Sequence, residues 1–431
     1  MTRLKRVVFG LMINKIKDFL RPAVRFYRKK KILYLASTAS AHYEIIIESI
    51  RHSGRSKLNF AAYVIFDSIY GMDGVFRLMM QDLDHWNPRI VVIPDISRGR
   101  EHAEKTYKKT KEYFINKYGE KYVLDGWDPN TDTYYDHLSE FDIVYYANPY
   151  DKMVHRFHKI VYATKKNVLP VYVSYGYDVG RLTTLNRIKK PELNLVWKLF
   201  ADTTYMYEDY VKDQVVKGKN IILAGYSKMD NLKYYAPTQH KRKKILITPH
   251  HTVVMKMLPL SNFLTYYELI LDLPILFPDV DFVFRPHPLL FTTLINEKIW
   301  NHERVEQYIT TLKSRGVDYS TEGDYLPLFA ECDAIINDCG SFTVEWLYTG
   351  KPGCFVYRDD LKEELLTNLM NKAISAYTVA RSKDDIIEFV KRISEDKGEH
   401  NYEMEPWVKE NIAVNYPDVS SFLLNEMNIL Q

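Results

Sequence analysis

Three polar segments in the second half of the chain carry the residue types that bind and transfer phosphate. They read Thr-Pro-His-His-Thr (248–252), Arg-Pro-His-Pro (285–288) and Asn-Asp-Cys-Gly-Ser-Phe (337–342), and each follows a short apolar run. Because the carboxyl ends of parallel strands meet at one edge of a sheet, we expect the three segments to line one crevice. A guanidinium, imidazoles and a Gly-Ser turn in one crevice favour an anionic diphosphate as the ligand.

The Arg-Pro-His-Pro segment places two functional side chains on a stiff loop, since proline ends strand pairing. Arg285 suits bidentate phosphate binding, and His287 suits protonation of a leaving phosphate. The alternative is that His287 only caps the end of the strand.

The third segment predicts a phosphate site at the start of a helix. Gly340 lets the backbone approach a ligand, and Ser341 is the expected N-cap, with the N–H groups of the first turn facing the crevice. Glu345, one turn further on, would accept hydrogen bonds from a ribose. An ordinary capped helix, ended by Gly-Lys-Pro at 350–352, stays open as the alternative.

We predict no metal site and no cofactor. His250 and His251 are adjacent, and adjacent residues on a strand point to opposite faces, so at most one would face the crevice. Asp279 and Asp281 lie at the start of a strand, away from its ligand-binding end. Three cysteines are too few for a disulfide scaffold or a structural zinc site, and they suit a reducing cytosol.

Strand-like runs alternate with helical patterns, which is typical of parallel α/β domains. The runs lie at 31–37, 59–66, 89–95, 141–149 and 169–176, and then at 244–251, 281–288, 333–338 and 352–359. We therefore predict two Rossmann-like doubly wound domains, 31–238 and 239–405, with a cleft between them. Residues 406–431 should pack as a helix across the junction.

The amino-terminal segment differs from the rest in charge. Residues 1–31 hold 11 basic residues and one acid, whereas the remainder holds 48 basic and 54 acidic residues. Apolar residues recur at three- and four-residue steps up to Pro22, which predicts a basic amphipathic helix within 1–30 that lies on an anionic membrane surface. A first helix packed on the body is the alternative. The acidic body argues against nucleic-acid binding, and no apolar run is long enough for a transmembrane helix.

The order of these motifs resembles the CDP-glycerol glycerophosphotransferase family, which includes teichoic-acid polymerases and capsule-synthesis relatives. The resemblance covers roughly 140–360 and includes Gly-Tyr-Ser-Lys-Met-Asp at 225–230, similar to the family's Gly-Tyr-Pro-Arg-x-Asp, and Ser-Tyr-Gly-Tyr at 174–177 in place of Trp-His-Gly-Thr. His287 matches the histidine of the family's Arg-Pro-His stretch, and Asp338 and Ser341 match the outer residues of its Asp-Tyr-Ser-Ser stretch.

The resemblance implies a GT-B architecture and peripheral attachment to the inner face of the cell membrane, on the cytoplasmic side. It implies transfer of glycerol phosphate from CDP-glycerol, or of a related group from another CDP-polyol, to a hydroxyl of a cell-surface polymer or its lipid-linked primer, releasing CMP. Tyr175 stands where the family has a histidine suspected of activating that hydroxyl. Since a tyrosine of pKa about 10 is a poor base at neutral pH, His42 and Asp178 are alternative bases.

Two other functional classes stay open. One is a GT-B glycosyltransferase or a nucleotide-sugar 2-epimerase-like enzyme, and the other is a non-catalytic membrane scaffold. The predicted catalytic residues are His287, Arg285, His42 and Tyr175, and the predicted substrate- and nucleotide-binding residues are Thr248, His250, His251, Asp338, Gly340, Ser341, Phe342, Glu345 and Lys351.

Overall fold

The computed structural model describes residues 3–235, 241–321, 323–398 and 404–430, with side chains from residue 21 onward. Its first sheet has seven parallel strands in the order β3-β2-β1-β6-β7-β8-β9. These strands are β1 (Leu58–Val64), β2 (Trp86–Val92), β3 (Val123–Asp125), β6 (Ile143–Tyr146), β7 (Leu169–Val173), β8 (Lys198–Ala201) and β9 (Ile221–Leu223), and a short hairpin, β4 (Trp127–Asp128) and β5 (Thr133–Tyr134), lies beside them.

The second sheet has six parallel strands in the order β12-β11-β10-β13-β14-β15. They are β10 (Lys243–Thr248), β11 (Val280–Phe284), β12 (Asp318–Tyr319), β13 (Ala334–Asn337), β14 (Gly353–Val356) and β15 (Thr378–Ala380). The α-helices are α1 (Arg3–His52), α2 (Asp73–Gln81), α3 (Arg100–Tyr118), α4 (Ile160–Ala163), α5 (Arg181–Ile188), α6 (Thr204–Asp213), α7 (Phe263–Leu276), α8 (Leu290–Asn296), α9 (His302–Ser314), α10 (Leu326–Glu331), α11 (Gly340–Glu345), α12 (Asn368–Ile374), α13 (Lys383–Ser394), α14 (Glu405–Asn411) and α15 (Val419–Met427).

The central strands are buried on both faces, as parallel sheets covered by helices require. In β13 all four side chains are buried, and in β1 six of the seven are. Local signals start the surrounding helices: the Thr203 hydroxyl accepts from Met206 N in α6, and Ser382 with Asp385 forms a capping box in α13. The predicted pair of Rossmann-like α/β domains is confirmed.

The start of the first domain differs from the prediction. The expected helix end at Pro22 and the expected strand at 31–37 are wrong, because α1 continues from Arg3 to His52 and the first strand begins at Leu58. Four consecutive apolar residues at 32–35 fit a strand or a helix equally well by periodicity. The polar residues that we expected to form a loop are accommodated in the helix, where the Thr38 hydroxyl donates to the Tyr34 carbonyl.

α1 has two different environments along its length. Ala39, Tyr43, Ile46 and Ile50 pack into the core of the first domain, whereas residues 21–31 are exposed on all sides. Within the described part of the chain, no helix combines the length and hydropathy that crossing a membrane would require.

The two domains contact each other directly behind the carboxyl ends of their strands. The backbone N–H of Thr367 donates to Val179 O at 2.9 Å, and the hydroxyls of Tyr177 and Tyr348 lie 2.8 Å apart. One buried apolar cluster contains residues of both domains. The two domains are therefore packed against each other at the side where their strands end.

The carboxyl-terminal helices contact both domains. Trp407 of α14 lies against the Lys372 ammonium of the second domain and donates to the Tyr205 hydroxyl of the first. Asp230, the last residue of the 225–230 motif, accepts hydrogen bonds from Val419 N and Ser420 N at the start of α15. The motif's carboxylate thus anchors the final helix.

Candidate functional site

The three predicted segments meet at one edge of the second sheet. β10 lies between β11 and β13, and the segments lie where these three strands end, at Thr248, Phe284 and Asn337. His287 N donates to Pro249 O at 2.9 Å, which joins the first two segments. The expected convergence at the strand ends is therefore what the structure has.

Three histidines form the centre of this site. The ring centroids of His250 and His251 are 4.3 Å apart, and the His287 ring lies 4.9 Å and 4.1 Å from them. One ring nitrogen of each lies within 4.8 Å of those of the other two. The prediction that at most one of the adjacent histidines would face the crevice was wrong, because β10 ends at Thr248 and strand alternation does not extend into the loop.

Hydrogen bonds fix the protons on two of these imidazoles. Leu289 N donates to Nδ1 of His287 at 3.1 Å, so the neutral ring carries its proton on Nε2. Nδ1 of His250 lies 3.0 Å from Oγ1 of Thr252. Because that hydroxyl already accepts from two backbone N–H groups, it donates to the imidazole, and His250 also carries its proton on Nε2.

The site keeps all three imidazoles neutral. Burial, together with the nearby His251, lowers the pKa of His287 to about 4. Burial and the two neighbouring histidines lower the pKa of His250 well below its ordinary value, and burial lowers that of His251. Neutral imidazoles are metal ligands, but protons on Nε2 of His250 and His287 make those atoms donors toward an anion.

Arg285 is held by the loop that follows β12. Its two terminal nitrogens donate to Oγ of Ser320 at 2.6 Å and to Gly323 O at 2.9 Å. Burial lowers the pKa of the guanidinium. These contacts fix the guanidinium near Tyr325 and Asp324, and its predicted contact with phosphate stays a prediction.

Asp338 and Thr248 support the site from beneath. Asp338 is buried, and its carboxylate accepts from His250 N at 2.5 Å and from Asn262 N at 2.6 Å. Burial raises its pKa to about 7. Asp338 therefore positions the histidine loop and the start of α7, while Thr248, fully buried at the end of β10, belongs to the core beneath.

The start of α11 differs in detail from the prediction. Its N-cap is Cys339, and Ser341 lies inside the first turn. A Cβ on Gly340 would lie 2.8 Å from Cγ2 of Val179 in the first domain, so the domain contact, and not a ligand, requires this glycine. A Cβ on Gly176 would lie 3.2 Å from the Ser341 hydroxyl, which places Ser341 at the cleft wall.

Glu345 faces a cation that we did not predict. The carboxylate is buried and accepts from the Tyr325 hydroxyl, and the Lys228 ammonium lies 4.4 Å from the centroid of that tyrosine ring. Burial raises the pKa of Glu345 and the charge of Lys228 opposes the rise. Phe342 also packs against Tyr325, with 4.5 Å between the ring centroids. The sequence could have pointed to Lys228 through its place in the 225–230 motif, where the CDP-glycerol glycerophosphotransferase motif has an arginine.

Two predicted residues lie elsewhere. Lys351 precedes β14, at the opposite end of the sheet, and its ammonium donates to the Phe329, Ala330 and Cys332 carbonyls. It therefore caps α10 and does not face a nucleotide. His42 lies within α1, and its Nε2 is 3.2 Å from Lys166 O, which precedes β7. That is the amino end of the first sheet, so the structure does not bring His42 to the cleft.

The remaining base candidates are poorly suited to take a proton. Tyr175 follows β7 and is 38% exposed, but burial of its hydroxyl raises its pKa. Asp178 is buried in an ion pair with Arg187. Burial raises the pKa of Asp178, which by itself favours proton uptake, but Arg187 opposes the rise and the ion pair engages the carboxylate. The general base is therefore unassigned.

Comparisons with known proteins find similar solved structures but no matching family model or curated protein. The wall teichoic acid polymerase TagF is similar over 94% of this chain and 97% of that chain, with a TM-score of 0.58 and 12% identity. A UDP-N-acetylglucosamine 2-epimerase is similar over 86% of this chain and 95% of its own, with a TM-score of 0.57 and 15% identity.

A third structure, UDP-GlcNAc 2-epimerase from Neisseria meningitidis bound to UDP-GlcNAc, is similar over 86% of this chain and 99% of that chain. The TM-score is 0.51 and the identity is 18%. At such identities the likeness concerns the fold. The chain thus has a GT-B-like architecture of two Rossmann-like domains, and the histidine cluster lies at the carboxyl edge of the second sheet.

Proposed function

We propose that this protein transfers glycerol phosphate, or a related polyol phosphate, from CDP-glycerol or a similar CDP-polyol to a hydroxyl of a cell-surface polymer or its lipid-linked primer, releasing CMP. The observation that carries the proposal is the cluster of neutral His250, His251 and His287 at the carboxyl ends of β10 and β11. Two of these rings present Nε2–H donors, which suit the oxygens of a diphosphate.

The proposed reaction breaks one phosphorus–oxygen bond and forms another. The acceptor oxygen attacks the phosphorus that bears the polyol, and the oxygen that leaves stays on CMP. His287 donates its Nε2 proton in a hydrogen bond to that leaving oxygen, and Arg285 and the backbone at Ser341 support the charge on the transferred phosphoryl group. The acceptor hydroxyl gives its proton to water as the new bond forms. Because catalysis of this type depends on positioning more than on covalent help, a tyrosine in place of a base at position 175 is compatible with it.

The amino-terminal half of α1 supports a membrane location. Residues 21–31 are exposed and combine cations with exposed Phe26 and Tyr27. Clustered cations with aromatic side chains bind the surface of an anionic bilayer. We propose that the protein is cytoplasmic and lies on the inner face of the cell membrane, where a lipid-linked acceptor would be found.

A glycosyltransferase or a nucleotide-sugar 2-epimerase-like activity is the second candidate. The observation that favours it is Tyr175, which replaces the family's proposed base, together with a buried Glu345 one turn after Ser341. Such an enzyme would bind UDP and would leave CDP-glycerol intact.

Release of CMP tests the proposal. Purified protein is incubated with CDP-glycerol, with and without a membrane extract as acceptor, beside His287→Ala and the control His302→Ala, an exposed histidine on α9. We expect acceptor-dependent CMP release that is lost in His287→Ala and kept in His302→Ala. No CMP release, with selective binding of UDP, would support the second candidate instead.

A further inference from the structure

The loop that follows the histidine cluster is rigid at its base and apolar at its tip. We name residues 253–258 the cleft loop. Its ends are held by Arg358, whose guanidinium donates to Val253 O at 2.8 Å and to Ser261 O at 3.1 Å. Oγ1 of Thr252 accepts from the backbone N–H groups of Leu260 and Ser261. The tip is therefore exposed although hydrogen bonds fix both ends of the loop.

The tip presents apolar side chains to solvent. Val254, Met255 and Met257 are 42%, 43% and 61% exposed, and the exposed Lys256 lies between the two methionines. Clustered exposed apolar side chains on a folded surface mark an interaction site. Apolar side chains interleaved with a cation suit the boundary between headgroups and acyl chains in an anionic bilayer.

The cleft loop lies at the edge of the cleft and reaches the first domain. It begins two residues after His251, and Cδ2 of Leu258 would lie 3.1 Å from a Cβ on Gly180. Next to Gly180, α5 begins with exposed Arg181 and with Leu182, which is 51% exposed. Both sides thus carry an exposed cation, with three exposed apolar side chains on the cleft loop and one, Leu182, on α5.

We propose that the cleft loop is a membrane contact separate from α1: Val254, Met255 and Met257 enter the headgroup layer of an anionic bilayer, with Lys256 and Arg181 facing the lipid phosphates. This contact would place the edge of the cleft at the membrane surface. It concerns the bilayer alone and does not depend on which nucleotide the cleft binds.

A polarity-sensitive dye on the loop tests the inference. All three native cysteines are buried, so a maleimide dye on Met257→Cys labels one site in the full-length protein. Vesicles of phosphatidylcholine with phosphatidylglycerol should shift the emission to the blue and increase it. The control dye on Glu306→Cys, on the exposed face of α9, should not respond. Without labels, Met255→Ser/Met257→Ser should bind these vesicles about tenfold more weakly at unchanged melting temperature.

Several results would overturn the inference. One is a dye that stays unchanged although the protein sediments with vesicles, which would leave α1 as the whole contact. A second is a protein that does not bind vesicles. A blue shift caused by CDP or UDP without vesicles would make the cleft loop a lid, and a shift that depends only on protein concentration would make it a contact between copies of the chain.

Discussion

At the scale of single residues, the site works through the protonation state of its histidines. Nδ1 of His287 accepts from a backbone N–H and that of His250 faces a hydroxyl, so each ring presents Nε2–H while staying neutral. An anion between these donors would favour the protonated imidazole and raise its pKa. Burial keeps the imidazoles neutral, and for the same reason their protonation at acid pH should lower the stability of the protein without a bound anion.

The depressed pKa of His287 predicts a loss of stability at acid pH. The folded value is about 4, and the unfolded value is about 6.5. Between these values only the unfolded chain takes up the proton, so this contribution to stability is complete above pH 6.5 and is lost as the pH falls toward 4. From pH 7 to pH 5, His287→Gln should lose about 2 kcal/mol less unfolding free energy than the wild type.

Urea unfolding of both proteins at the two pH values measures this difference. The comparison cancels titrating groups that do not contact His287, such as His158, whose pKa burial also lowers to about 4. Parallel losses in the two proteins would show that His287 is not held neutral by burial.

At the level of secondary-structure elements, the sequence predicted which strands form the crevice, but it did not predict where the side chains of the following loop point. The alternation of apolar runs with helical patterns located β10, β11 and β13 and therefore the crevice. The positions of His250 and His251 depended on β10 ending at Thr248, and a boundary of one or two residues cannot be read from periodicity. The helix through 31–37 was missed for a related reason, since its four apolar residues also fit a strand.

The turn between β13 and α11 depends on a close contact with the first domain. Gly340→Ala would bring its Cβ to 2.8 Å from Cγ2 of Val179. We expect a loss of about 1–3 kcal/mol in unfolding free energy, measured by denaturant melts. Adding Val179→Ala should restore much of it, because the second change removes the colliding methyl groups. A Gly340→Ala protein as stable as the wild type would contradict this account of the glycine.

Substitution of Lys351 tests whether this residue stabilises the fold or binds a ligand. Its ammonium satisfies three carbonyls at the end of α10, so Lys351→Met should cost about 1–3 kcal/mol of stability. Nucleotide affinity, measured by calorimetry well below the melting temperature, should not change. Lys105→Met, an exposed lysine on α3, serves as the control for loss of one charge. Weaker nucleotide binding of Lys351→Met without a loss of stability would show that Lys351 binds the nucleotide, as the sequence predicted.

At the level of the whole molecule, the two domains are joined by direct contacts, and the exposed start of α1 carries much of the positive charge. The contacts at Val179, Tyr177 and Thr367 join the two domains, and α15 is anchored to the first domain through Asp230. The charge of the chain is uneven, since the basic residues of 1–31 lie at one end of a mildly acidic body. Such an arrangement predicts orientation on a charged surface.

Removal of residues 1–30 should weaken binding to anionic vesicles at least about tenfold, because each cation near the surface contributes about 1 kcal/mol. Binding of the full-length protein should also weaken as salt is raised. Sedimentation with vesicles measures both effects, and neutral vesicles are the control. Equal affinity of the shortened and full-length proteins for anionic vesicles would assign membrane contact to the body alone.

The central claim is that the histidine cluster holds the diphosphate of a cytidine nucleotide, and binding tests it without knowledge of the acceptor. We would titrate CDP and UDP into the wild type, His287→Ala and His302→Ala by calorimetry. We expect the wild type and His302→Ala to bind CDP in preference to UDP, and His287→Ala to bind CDP at least about tenfold more weakly. Equal CDP affinity in His287→Ala, or a preference for UDP, would contradict it.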